Sequence, residues 1–178
     1  MVRNSKKMAV CGIIGALSVT ILLFGFMVPF ATYACPAIAA FLLLPIAYEF
    51  KEKTAFTLYS AVSLLAIFLL PDKELAMMYI LVFGLYTVFK LRIDRIKPRL
   101  LCFGVKLGFS HVSVTICYAL ILVIFPIPML VEDFKGMTGA FTLLLFALFS
   151  FTFLLYDFAI SRVFLVYYYK FRPKIFKH

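Results

Sequence analysis

Three side chains able to hold or pass a proton, Lys106, His111 and Asp157, stand inside long apolar stretches of a 178-residue chain. A charge near the centre of a bilayer costs about 2.5 to 3.5 kcal/mol even on lenient insertion scales, so such residues point to function by default. Lys106 follows Arg99 by seven residues, about 10 Å along a helix. Asp157 occupies the inner part of a stretch that runs the opposite way. The two are expected at similar depth, as an intramembrane ion pair. One use of such a pair is a proton or gating element. A purely structural pair, or Lys106 reaching the lipid heads while Asp157 is held by Arg162, is the favoured reading. His111 falls about halfway across its stretch, where an imidazole can bind a ligand, carry protons or hydrogen-bond a neighbouring helix. Ser110 beside it points about 100° away on a helix, so the two cannot act as nucleophile and base.

The elements that must position these groups are six apolar runs: Met8–Val28, Ala31–Phe50, Thr54–Leu70, Glu74–Phe89, Leu100–Phe125 and Met137–Tyr169. About 20 apolar residues are needed to cross the hydrocarbon. The fourth run is short by this measure and the sixth long, so the fourth is expected to thin the bilayer or borrow its flanks and the sixth to tilt or extend. Cations pile up at alternate junctions. One set holds Arg3, Lys6 and Lys7, then Lys51 and Lys53, then Lys90, Arg92, Arg95, Lys97 and Arg99, and finally Arg162, Lys170, Arg172, Lys174 and Lys177. The other holds only Lys73 and Lys135, with Asp72, Glu74, Glu132 and Asp133. Basic flanks stay in the cytoplasm. The sequence therefore predicts an all-α integral membrane bundle of six transmembrane helices, N- and C-termini cytoplasmic, forming a single domain over residues 1–178.

The net charge of +10 is read as this topology signal and as an attraction for anionic lipid, not as a nucleic-acid surface, because 65% apolar residues leave no soluble domain to present it. The first run is longer than a signal-peptide core and lacks a convincing A-x-A exit. Cys11, Cys35, Cys102 and Cys117 show no C-x-x-C and no His at ligand spacing, and are expected to pack as small hydrophobes. A bond between Cys35 and Cys117 is conceivable, both falling in the outer half. No G-x-S-x-G, H-E-x-x-H, phosphate-cradling Gly loop, paired intramembrane carboxylates or acidic metal cluster is present. No catalytic residue, cofactor or metal is implied.

Helical wheels add detail. In the fifth run Lys106, Ser110, Ser113 and Cys117 form one stripe, and Gly104, Gly108, His111, Thr115 and Tyr118 a second on a nearly opposite face, which predicts a helix central in its bundle. In the first run Ala9, Gly12, Ala16 and Thr20 form a small-residue face. Small faces serve close helix contact, internal packing being favoured on physical grounds and docking of a partner membrane protein being the alternative. Between Met27 and Pro36 two prolines predict irregular backbone, a rim for an outward-facing pocket. Pro71–Glu74 supplies the middle outer loop, and Pro126, Pro128 and Glu132–Asp133 the last.

These features together are similar to the S components of energy-coupling factor transporters, small membrane subunits that capture micronutrients and work with a transmembrane coupling subunit and two ATPases. The strings Pro29–Ala37, Pro71-Asp-Lys-Glu74 and Phe83-Gly-Leu-Tyr86 also resemble those of small six-span proteins of Gram-positive gut bacteria, in which a proline follows the tyrosine where this chain has Thr87. The resemblance implies that Ala9, Gly12 and Ala16 face the coupling subunit. It also implies that a ligand binds in the outer half, where the polar groups are Thr32, Tyr33, Tyr79, His111, Thr115 and Tyr118. Acidic outer loops and the lack of Trp favour an apolar, neutral or cationic ligand over an anionic one. The expectation is a substrate-binding membrane subunit of a micronutrient transporter in a bacterial cytoplasmic membrane. A non-transporting scaffold or assembly factor is the runner-up, and a lipid-modifying enzyme the third reading.

Overall fold

A computed structural model describes residues 2–28, 31–124 and 139–171. Pro29, the last outer loop with Pro126, Pro128, Glu132, Asp133 and Lys135, and the basic residues after Phe171 lie outside the described residues. All regular structure among the described residues is helical. Two compact units are formed, Met1–Met137 and Thr138–His178.

The first unit begins with α1 (Val2–Met27), followed by α2 (Ala34–Phe41), α3 (Leu43–Phe50) and α4 (Glu52–Leu69). Next comes a composite helix: α5 (Lys73–Met77), a π-helical stretch (Met78–Gly84) and α6 (Leu85–Ile93). The unit closes with α7 (Arg99–Ile124). The second unit holds α8 (Gly139–Val166), continued by a π-helical turn, Tyr167–Phe171. Among the described residues five stretches have the length and hydropathy to cross a membrane: Ser5–Met27, Glu52–Leu69, Lys73–Ile93, Arg99–Val123 and Leu143–Tyr169. Helices of this kind, exposing Phe24, Phe68, Leu100 and Val123, are those of a membrane protein.

The second apolar run departs from the expected single helix. It splits at Leu42 into two eight-residue helices. Pro45 is the cause: it has no N–H to offer the Phe41 carbonyl, and its ring crowds that carbonyl. Pro36 and Pro45 each occupy the third position of their helices, where the missing N–H would have had no intrahelical partner. The fourth run, expected to be short, is instead 21 residues long from Lys73 to Ile93. Within the first unit that composite helix, not α7, is central. Of its apolar window 61% is buried, against 28% for α7, and it packs on α2, α3, α4 and α7.

Glycine sets two of these contacts. A Cβ on Gly25 would lie 2.6 Å from that of Cys35, so only glycine lets α1 close on the start of α2. At Gly84 a Cβ would meet the Tyr79 carbonyl oxygen at 2.6 Å and the Tyr59 ring at 2.8 Å. Tyr59 also donates its hydroxyl to the Ile80 carbonyl at 2.6 Å, pinning the widened π-helical stretch against α4.

The first helix packs through Val10, Cys11 and Ile14 on a core of Ile46, Ala47 and Ala55, and buries Ser18 and Leu22 further along. Its small-residue stripe is not internal. Ala9, Gly12, Ala16 and Thr20 are all exposed, and nothing described lies within 4 Å of a Cβ built on Gly12. The turn between α3 and α4 is a single residue, Lys51, held at φ 74 and ψ 156, a region that L side chains avoid.

Candidate functional site

Sequence junctions that carry few cations meet at one end of the first unit. Asp72, Lys73 and Glu74 organise this end, each by a separate interaction. Asp72 caps α5, its Oδ1 accepting hydrogen bonds from the main-chain N–H groups of Glu74 (2.9 Å) and Leu75 (3.2 Å). Lys73 turns back to the preceding helix, and its ammonium donates to the carbonyls of Ile67 and Leu70, each at 2.9 Å. This closes the C-terminus of α4, where a cation also complements the helix dipole.

Glu74, in the first turn of α5, extends its carboxylate to two phenols. Tyr33, the residue just before α2, donates to Oε1 at 2.8 Å, and Tyr118, near the end of α7, donates to the same oxygen at 3.1 Å. A carboxylate oxygen accepting two hydroxyl donors is a charge-assisted arrangement. It ties together segments separated by 41 and 44 residues. The Tyr33 ring is half exposed, yet desolvation of its hydroxyl end, with the negative charge of Glu74 adding to it, pushes its pKa above the ordinary phenol range. Tyr33 therefore remains a protonated donor at neutral pH. Chemically, the site offers a carboxylate held by neutral donors beside two aromatic faces.

Of the six expected ligand-binding residues, the structure brings Tyr33 and Tyr118 together on Glu74. Thr32 precedes Tyr33 and is partly buried, and Thr115 is exposed on α7. Tyr79 is fully buried in the π-helical stretch with its ring 6.2 Å from that of Tyr59, placing it in the helix core. His111, partly buried, lies seven residues before Tyr118, about 10 Å along α7. In the sequence Glu74 stands out only as an acid of the middle outer loop and the first residue of the fourth run, with no binding role. The signal that could have found it is its position two residues after an N-cap Asp, which commits its side chain to the first turn of a helix.

The opposite end of the first unit gathers the basic junctions. Arg92 on α6 pairs with Glu52 at the start of α4. Lys90, expected in a loop, is buried because α6 continues to Ile93. Its ammonium lies 3.3 Å from Asp94 and 5.7 Å from the centre of the Tyr86 ring. Lys106 pairs with Asp94 at 2.6 Å, its side chain only 12% exposed. The short turn between α6 and α7 carries Asp94 to this lysine. Asp157 belongs to α8 in the second unit, where its carbonyl accepts a hydrogen bond from Ser161 and where Arg162 lies over the Phe158 ring at 4.9 Å.

In α7 the first stripe is the packed one: Ser110, Ser113 and Cys117 are buried, while Gly104, Gly108 and Thr115 of the second are exposed. All four cysteines are free thiols, Cys35 and Cys117 being buried. No group of three or more potential metal-ligating side chains occurs among the described residues. No family model, curated protein or solved structure matches the chain.

Proposed function

We propose that this membrane protein is the substrate-binding subunit of a micronutrient uptake transporter, similar to an S component, and that its ligand enters at the end marked by Glu74. The observation that carries this reading is the convergence of Tyr33 and Tyr118 on Glu74. Three helices far apart in sequence meet around polar groups at the end poor in cations. In this reading the chain crosses a bacterial cytoplasmic membrane six times, α2 and α3 together making the second crossing, with the basic junctions and both termini inside.

The open stripe of α1 supports the same function. Ala9, Gly12 and Ala16 lie on the basic half of the helix and are exposed, which suits close approach by a transmembrane coupling subunit linked to ATPases. Purification from the native membrane in mild detergent, with mass spectrometry of co-eluting proteins and small molecules, tests the proposal. A coupling subunit should co-purify. Gly12→Leu and Ala16→Leu should remove it while the isolated protein melts like the wild type. Early melting of these variants, with no partner recovered from the wild type, would refute the docking role.

A further inference from the structure

We infer that the Glu74 site takes a small organic cation bearing N–H donors, a protonated amine or amidinium, on the carboxylate. This rests on the proposed ligand-binding role and narrows its chemistry. Both phenols donate to Oε1. Among the described residues no side chain hydrogen-bonds Oε2, and none forms an ion pair with Glu74. The nearest cation in sequence, Lys73, is committed to the Ile67 and Leu70 carbonyls. Asp72 adds a second negative charge whose Oδ1 is committed to the cap of α5. Tyrosine hydroxyls stabilise a carboxylate without cancelling its charge, so the described groups leave the site negative.

Each ligand class meets this site differently. An anion is repelled by Glu74 and Asp72. A wholly apolar ligand strips water from the carboxylate and returns no hydrogen bond, which costs free energy. A protonated amine supplies both the missing charge and donors for Oε2, and the tyrosine rings add attraction for a cation. The neutral form of the same ligand supplies only part of this.

The test uses three probes of one shape and different charge: benzylamine, benzyl alcohol and benzoate. Each is titrated against the full chain in lipid nanodiscs by calorimetry. Benzylamine should bind about tenfold or more tightly than benzyl alcohol, as hydrogen bonds to a charged group allow, and benzoate should be weakest. Glu74→Gln should lose about tenfold or more for benzylamine and little for benzyl alcohol. That variant keeps a carbonyl acceptor for Tyr33 and Tyr118, and its melting curve reports whether the helices remain joined. Equal binding of amine and alcohol, an unchanged Glu74→Gln, or binding by none of the probes would overturn the assignment. Such a result would leave the transporter reading standing wherever a coupling subunit still co-purifies. Loss of that partner, with the amine preference intact, would sink the transporter reading and keep the site.

Discussion

Lys106 and Asp94 form an ion pair of 2.6 Å across the turn from α6 to α7, with the lysine side chain almost wholly enclosed. Asp94 also meets Lys90 at 3.3 Å, so one carboxylate holds two enclosed ammonium groups. Removing it leaves both without that counter-charge. Asp94→Asn is expected to be more destabilising than Lys106→Met. The double variant should recover part of the loss, a coupling of about 0.5 to 3 kcal/mol. Melting temperatures in detergent for the four proteins of the cycle measure it, and strictly additive shifts would show no interaction.

Gly84→Ala is expected to destabilise the protein by about 1 to 3 kcal/mol, as overpacking does. The new methyl meets a main-chain oxygen and the Tyr59 ring well inside contact distance. Gly12→Ala and Gly104→Ala enter open space, so they should be neutral or gain up to about 1 kcal/mol from helix propensity. Thermal melts of the three variants separate a close-approach glycine from a merely small one.

Lys51→Gly should raise stability. The residue sits at φ 74, where strain of about 1 to 3 kcal/mol exceeds the roughly 0.4 to 1 kcal/mol of added unfolded-state entropy. Chemical denaturation in mixed micelles reads the gain. A loss would mean that the side chain itself holds the turn.

Asp72→Ala should cost about 0.5 to 2 kcal/mol by freeing the first N–H groups of α5. Amide hydrogen exchange gives the sharper readout: protection at Glu74 and Leu75 should fall first.

Six-span topology is checked by labelling a cysteine-free variant with a membrane-impermeant maleimide. A single cysteine at Pro71 should label on intact cells. One at Arg95 should label only after permeabilisation. The reverse pattern would overturn the orientation.

Much of the first unit was legible from run lengths and charge. The alternation of cations groups the junction at Lys51 and Lys53 with the one from Lys90 to Arg99, and the ion pair of Arg92 with Glu52 joins these two junctions. Hydropathy averages side chains and is blind to backbone donors. It therefore read Ala31–Phe50 as one helix although Pro45 was in view, and ended the fourth run at Phe89 because Lys90 and Arg92 are polar. The helix nonetheless runs through it to Ile93, with Lys90 buried beside Asp94 and the Tyr86 ring. Tyr33 and Tyr118 were legible as outer polar groups. Their meeting point was not, because Glu74 recruits them across 41 and 44 residues and no local pattern encodes such a distance.

The π-helical stretch at Met78–Gly84 also fixes a register. Each π turn holds about one residue more than the α turn it replaces, so everything after Gly84 is rotated relative to a regular helix begun at Lys73. Deleting one residue there would restore the ordinary period and swing α6 by about 100°. Tyr86 and Lys90 would then leave the interior, and Phe89 would take the inward direction instead. The fold thus uses a surplus residue as an angular setting, one that turns the whole of α6 so that Tyr86 and Lys90 face inward.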